Sequence, residues 1–362
     1  MSVTEEEEMF TQSYFKNNYY IESTRNYLDD YSNIISKEID MTLSGRYLSR
    51  YPVLKFNYAK LDRYPLHIHI NRLKNEIKKV YNISDNKSVV LGAGSNGILQ
   101  NIVKLLFKTG DNLVTPYLTF DQAEFAVTSL GGTTRRCYMD KYDISLDNIT
   151  NSTDLKTKLI YICNPNNPTG KIISNKEIIN FAKLNKDINI IIDESNIEFS
   201  NQKSLLTEEY PENIIVLKSF SKAYGLANLR IGYMVCQNIF ADEYNKNTTV
   251  NEFSGVSCEI ALQVLRSKLY LKNVKKVKKQ LKFIDSNLNR YGIKSILSNS
   301  NTLLTETTFP KKAFDILNNN NVSVVPIFDQ DNLLHFRIAI QDSKTNKKFI
   351  KKMKEVCNKN YL

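Results

Sequence analysis

The sequence predicts an α/β fold: a mostly parallel, doubly wound central sheet flanked by helices, with a smaller α+β unit alongside. Three observations point there. Four short apolar runs, Val89 to Leu91, Leu159 to Cys163, Ile188 to Ile192 and Ile214 to Leu217, read as buried strands because polar residues do not alternate with the apolar ones. Helical patterns bounded by glycine, proline, serine and asparagine lie between the runs, as crossover connections of a parallel sheet require. The chain has 362 residues, more than one typical core holds. We therefore expect an N-terminal arm at 1–50, a large domain at 51–255 and a small C-terminal domain at 256–362, with the arm belonging to the small domain.

Composition narrows the class. Hydrophobic content of 42% and charged content of 24% are ordinary for a soluble globular protein. No stretch approaches the roughly 20 apolar residues of a membrane span, so no membrane partner is expected. Met1 to Phe10 holds four consecutive glutamates and no apolar segment, and Cys137, Cys163, Cys236, Cys258 and Cys357 form no Cys-x-x-Cys pair. Both features suit reduced, buried thiols in a cytoplasmic protein. The formal charge of +11 raises nucleic acid as a partner. Its densest source has a plainer reading: Leu271, Val274, Val277, Leu281, Ile284 and Leu288 keep helical spacing with lysines between them. That is an amphipathic helix with a solvated basic face, and without interleaved aromatics no nucleic-acid partner is expected.

Taken in order, residues 1–50 are rich in tyrosine, asparagine and acidic groups and carry no assignable motif. Leu61-Asp62-Arg63-Tyr64-Pro65 ends an extended segment, and a helix through Leu73, Ile77 and Val80 comes next. His67 and His69 lack other ligands nearby, so they read as packing or surface residues and no metal site is expected. Val89 to Leu91 leads into Gly92-Ala93-Gly94-Ser95-Asn96-Gly97 and a helix with Ile98, Leu99, Ile102 and Val103 on its apolar positions. This Gly-x-Gly-x-x-Gly supports a rival reading as an NAD-dependent dehydrogenase. The acidic residue that should stand about 20 positions on is missing, because Leu113-Val114-Thr115 ends in Pro116 and Tyr117. A narrower inference remains: backbone amides at a helix start, with Ser95 as cap, can hold a phosphate.

Phe120 and Phe125 precede a helix that ends at Gly131-Gly132, and an aromatic here either stacks on a flat ring or fills the core. The strand Leu159 to Cys163 runs into Asn164-Pro165-Asn166-Asn167-Pro168-Thr169-Gly170, a rigid turn whose amides can point into a site. Ser174-x-x-Glu177 caps the next helix. Ile188 to Ile192 ends in Asp193-Glu194, and a carboxylate at the carboxyl end of a central strand is either a ligand-binding group or a helix cap. After Ile214 to Leu217 comes Ser219-Phe220-Ser221-Lys222, with Arg230 eight residues beyond. A lysine in that loop is an ordinary surface residue or a partly desolvated amine, and desolvation lowers its pKa and frees it as a nucleophile. Serines and arginine are the residue types that bind phosphate. An imine-forming lysine beside a phosphate cradle is what pyridoxal 5'-phosphate requires, its aldehyde bonding the lysine and its phosphate anchoring the other end.

These motifs, in this order, resemble the class I/II, fold-type I aminotransferases that bind pyridoxal phosphate, and most of all the histidinol-phosphate aminotransferase branch. The resemblance runs from about Arg63 to Ile340 and rests on Asn164 to Gly170, Asp193-Glu194-Ser195, Ser219 to Lys222 with Arg230, and Phe336-Arg337-Ile338. It implies that Lys222 is the Schiff-base lysine, Asp193 the partner of the pyridine nitrogen and Asn167 the asparagine that bonds the ring hydroxyl. It also implies that Gly94, Ser95 and Asn96 form the phosphate-binding helix start, with Ser219, Ser221 and Arg230 completing the cradle. Tyr64 resembles the tyrosine that reaches the neighbouring subunit's cofactor phosphate, which implies a homodimer with shared active sites. Arg337 resembles the arginine that grips a substrate carboxylate.

The sequence also departs from that pattern. Asn228 replaces a glycine, and asparagine tolerates the left-handed backbone that glycine would adopt there. Asn196 stands where a tyrosine usually bonds the ring hydroxyl, Pro326 where the branch often has a basic residue, and Gln341 where a glycine usually succeeds the last strand. Phe120 is assigned as the ring-stacking aromatic. The implied reaction is amino transfer between an amino acid, or an amine like one, and a keto acid or aldehyde. A pyridoxal-dependent decarboxylase or cyclase is the nearest alternative; the dehydrogenase and an inactive binding homologue are more distant ones.

Overall fold

The architecture is that of a computed structural model, which describes residues 39–42, 64–249 and 252–358. Of the arm expected at 1–50 only 39–42 fall among the described residues, and Leu61-Asp62-Arg63 lies outside them. The described chain opens with a two-residue strand, β1 (Ile39–Asp40). One seven-stranded sheet then forms from β2 (Lys87–Gly92), β3 (Asn112–Pro116), β4 (Thr133–Cys137), β5 (Thr157–Cys163), β6 (Asn189–Asp193), β7 (Ile214–Ser219) and β8 (Gly232–Gln237). Its order is β2-β8-β7-β6-β5-β3-β4, parallel throughout except for β8, which runs against both neighbours. The expected mostly parallel sheet is therefore present. The glycine motif after β2 adjoins an end strand paired only with antiparallel β8, so it does not sit in the parallel βαβ unit that binds dinucleotides.

Both faces of this sheet are covered. Along β5, β6 and β7, Ile160, Ile162, Ile190, Ile192 and Val216 enter one core, while Leu159, Tyr161, Ile191, Ile215 and Leu217 enter the other. Burial on both sides is why these strands read as unbroken apolar runs. α1 (His67–Tyr81), α4 (Leu146–Asn151) and α5 (Asn175–Leu184) pack on the first core through Leu73, Ile77, Ile149, Ile178 and Phe181. α2 (Gly94–Leu106), α3 (Gln122–Thr128) and α6 (Asn238–Asn247) pack on the second through Ile98, Leu99, Ile102, Val127 and Tyr244. The expected capping box is present, with Ser174 and Glu177 satisfying each other's backbone amides at the start of α5.

The remaining chain holds α7 (Gly255–Ser267), α8 (Tyr270–Arg290), β9 (Thr302–Leu304), α9 (Lys311–Asn319), β10 (Val322–Ser323), β11 (Val325–Phe328), β12 (Leu334–Ala339) and α10 (Ser343–Asn358). β11, β12 and β9 form an antiparallel sheet, and β1 pairs parallel with β10. Leu118 and Met139 cluster with Ile296, Leu304, Val325 and Ile327, so an apolar seam joins this part to the large sheet.

α8 buries Val274, Val277, Leu281, Ile284 and Leu288 as its spacing requires, but Leu271 in its first turn is exposed. Lys278 leaves the solvated face to donate to Ser200 O and Asn201 Oδ1, both at 2.9 Å. Val80 of α1 is likewise exposed, and His69 pairs with Glu259 at 2.7 Å. All five cysteines are free thiols, four of them buried. No helix among the described residues is long and apolar enough to cross a membrane.

Candidate active site

Sheet register brings distant motifs together. Cys163 lies beside Asp193, Asp193 beside Leu217, Ser219 beside Gly232 and Gly232 beside Gly92. The segments that leave β2, β5, β6 and β7 therefore emerge along one edge, the carboxyl edge of the parallel strands, where open α/β sheets bind ligands.

At one end of that edge is an anion cradle. α2 begins at Gly94 with no side-chain cap on its first amides, so those N–H groups and the helix dipole are open to a ligand. Ser95 is thus not the cap that the sequence suggested; it lies inside the first turn, where its Oγ accepts from the Ser195 hydroxyl at 3.2 Å. Gly94 has φ +74°, and a Cβ there would stand 2.8 Å from Arg230 Nη2, which shows how closely the guanidinium covers the helix start. A Cβ on Gly232 would lie 2.6 Å from Ser95 N, so β8 needs glycine at that crossing. Arg230 is held by Ala227 O at 3.0 Å and Ser221 Oγ at 3.4 Å, and Ser219 Oγ accepts from Ser221 N–H. Arg230 is also the residue with a left-handed backbone, at φ 47°. Asn228 sits in a short 3-10 turn, Ala227–Leu229, outside the left-handed region, so its tolerance of that conformation is not what allows it there.

Lys222 comes next in the same turn, closed by a Gly225 N–H to Lys222 O bond of 2.9 Å. Burial, then the Arg337 and Arg230 charges, lower its amine from 10.5 to about 8, against the opposing pull of Asp193 and Cys163. Asp193 is buried, with Oδ1 accepting from Ser195 N–H and Oδ2 from the Tyr161 hydroxyl, each at 2.9 Å. The three asparagines of the turn after β5 divide by role. Asn164 bonds Ile173 through both its amide atoms, and Asn166 bonds Leu118 O, Thr119 and Thr169, so both are occupied in shaping the turn. Asn167 is the one that reaches outward, its Oδ1 3.3 Å from Arg337 Nη1. Arg337 also donates to Thr42 O at 3.1 Å from Nη2.

Three atoms here, Asn96 Oδ1, Asn196 Oδ1 and Arg337 Nε, are buried with no hydrogen-bond partner among the described residues. Unsatisfied polar atoms around an anion cradle and a depressed amine fit a polar, phosphate-bearing aldehyde cofactor. Phe120 is partly buried and packs against the second core. Tyr64 has 82% of its surface exposed. Pro326 pairs with Phe336, so it shares the face opposite to Arg337; the residue paired with Arg337, and on its face, is Val325.

Sequence reasoning missed Tyr161, Ser195 and Thr42. A hydroxyl inside an otherwise apolar strand was the available signal for Tyr161, whereas Thr42 carried none.

Comparison with known proteins agrees with this geometry. The family model for aminotransferase class I and II matches residues 58–353. Histidinol-phosphate aminotransferase 2 of Carboxydothermus hydrogenoformans is 29% identical over 299 residues, covering 79% of this chain and 81% of that protein. Histidinol-phosphate aminotransferase of Methanocaldococcus jannaschii is 28% identical over 310 residues, covering 83% of each. Among solved structures, the histidinol-phosphate aminotransferase of Sinorhizobium meliloti in complex with pyridoxal-5'-phosphate superposes with a TM-score of 0.80 at 19% identity, over 89% of this chain and 92% of that one.

Proposed function

The chain belongs to the class I and II aminotransferases, enzymes that work with pyridoxal 5'-phosphate, and from this premise we propose that Lys222 is the amine that carries the cofactor. The protein is a transaminase acting on small amino and keto substrates. When bound, the cofactor supplies an aldehyde that condenses with amines and a ring that accepts electrons from the substrate's α-carbon. The chain's own residues do the rest. The amides of Gly94, Ser95 and Asn96, with Ser219, Ser221 and Arg230, hold the phosphate. Asp193 would hold the pyridine nitrogen and Asn167 the ring hydroxyl. Arg337 would take the substrate carboxylate as a bidentate pair, and Lys222 would serve the α-carbon as general base and acid.

The observation that carries this reading is the place of Lys222 beside the anion cradle, where Arg230 bonds the adjacent Ser221, with its amine lowered to about 8 by burial and then by the Arg337 and Arg230 charges; neutral amine is what both attack and proton transfer need. Borohydride reduction of the holoenzyme and peptide mapping of the product test it. The cofactor is expected on Lys222, and its fixation on any other lysine ends the reading.

The same proposal includes a cytoplasmic homodimer, in which Tyr64 reaches the phosphate cradle of a second copy; its exposure supports this. It also divides the chain into a large domain at 51–255 and a small one at 256–362 joined by the arm. The separate sheets and the pairing of β1 with β10 support that division.

A further inference from the structure

Asp193 lies at the end of β6 with each carboxylate oxygen held by a different donor, the Ser195 amide on Oδ1 and the Tyr161 hydroxyl on Oδ2. Tyr161 is wholly buried on the adjacent strand β5, two residues before Cys163, which is the register partner of Asp193. Its ring therefore rises on the same face as the Asp193 side chain. Its own carbonyl accepts from Thr115 Oγ1 at 3.0 Å, which fixes the strand beneath it. Burial, then the negative charge of Asp193, hold the phenol well above its usual range, so the hydroxyl keeps its proton and always donates.

We propose that Tyr161 is a positioning residue whose hydroxyl fixes the plane of the Asp193 carboxylate so that it would point at the cofactor's pyridine nitrogen. The proposal rests on the assignment of Asp193 made above. With only the Ser195 amide the carboxylate could turn about its Cβ–Cγ bond; a second donor on the other oxygen stops that rotation and leaves each oxygen a lone pair. Without the hydroxyl, Oδ2 becomes an unsatisfied buried acceptor and the carboxylate is free to swing out of line with the pyridine nitrogen.

The test uses holoenzyme reconstituted with cofactor isotope-labelled at its pyridine nitrogen and read by NMR. The wild type should show a protonated nitrogen. Tyr161→Phe should move the signal toward neutral pyridine and raise the cofactor dissociation constant about tenfold, the loss expected of one charge-assisted hydrogen bond. Affinity of the apoprotein for inorganic phosphate should stay within about twofold, because the cradle is untouched. Tyr161→His serves as a second variant where the phenylalanine one does not fold. Its imidazole faces Asp193 and titrates, so the nitrogen signal should become pH-dependent across the histidine range. An unchanged signal in Tyr161→Phe, or a pH-independent one in Tyr161→His, overturns the proposal. Asp193→Asn separates the two levels: if it abolishes the protonated signal while the Tyr161 variants do not alter it, only the role of Tyr161 falls. If Asp193→Asn also leaves the signal intact, the assignment of Asp193 falls and the role of Tyr161 with it.

Discussion

Replacing Arg337 with methionine should make Lys222 a worse nucleophile in the apoprotein, although the two residues come from segments more than a hundred residues apart. The Lys222 amine lies at about 8 instead of 10.5, which is about 3 kcal/mol of preference for the neutral form. At pH 7 that leaves about 9% of the amine neutral, against about 0.03% for an ordinary lysine, a gain of about 300-fold in reactive species. Burial is the largest cause and the Arg337 charge the next. Arg337→Met keeps most of the stem and removes the charge, so the midpoint should rise by about one pH unit, and the neutral amine at pH 7 should fall about ninefold. The sign is set by charge: a cation nearby disfavours a second cation, so its removal lets Lys222 hold its proton to higher pH. The assay is the pH profile of Lys222 labelling by an amine-selective reagent in apoprotein, read by mass spectrometry of the peptide that contains it. Solvent-exposed lysines such as Lys272 and Lys275 serve as internal controls. A midpoint that stays at about 8 or falls would refute the part assigned to Arg337 and leave burial and Arg230 as the causes.

Gly232→Ala places a Cβ 2.6 Å from Ser95 N and 2.9 Å from Lys218 O, both backbone atoms that cannot swing away. It should cost about 1–3 kcal/mol of stability and weaken inorganic phosphate binding about tenfold, and unchanged melting and phosphate titrations would show that α2 does not depend on that crossing. Tyr64→Phe should retain cofactor less well, and mixing it 1:1 with Lys222→Ala subunits should restore intact sites toward about a quarter of wild type, one in each heterodimer; no recovery with subunit exchange verified means that Tyr64 does not act across an interface. Asn196→Tyr should lower the pH of the bound cofactor's visible absorbance transition, because a phenol donating to the ring oxygen stabilises its negative charge. An unchanged or raised transition would show that Asn196, despite its unpartnered Oδ1, already serves the ring oxygen as well as a tyrosine would.

The strands and the helices between them were legible in the sequence, for local reasons. Ile188 to Ile192 can only be a doubly buried strand, Ser174 and Glu177 can only cap the helix they open, and the order of the motifs names a family. Local pattern also has limits, as Leu271 shows: it keeps helical spacing yet has nothing to pack on. Tertiary structure alone decided which of several equivalent-looking groups face the site. Asn164, Asn166 and Asn167 are chemically identical in the sequence, and only the packed turn occupies the first two and turns the third toward Arg337. Pro326 and Val325 are neighbours, and only the register of β11 against β12 places Val325 on the Arg337 face. The lowering of Lys222 likewise draws on burial and on the charge of Arg337 from a distant strand, and the hydroxyl that meets Asp193 comes from the next strand. A sequence states the period of its elements and the chemistry of its side chains. Which of those side chains meet depends on register and crossing geometry, and these arise only when the sheet closes its hydrogen bonds and its two cores fill.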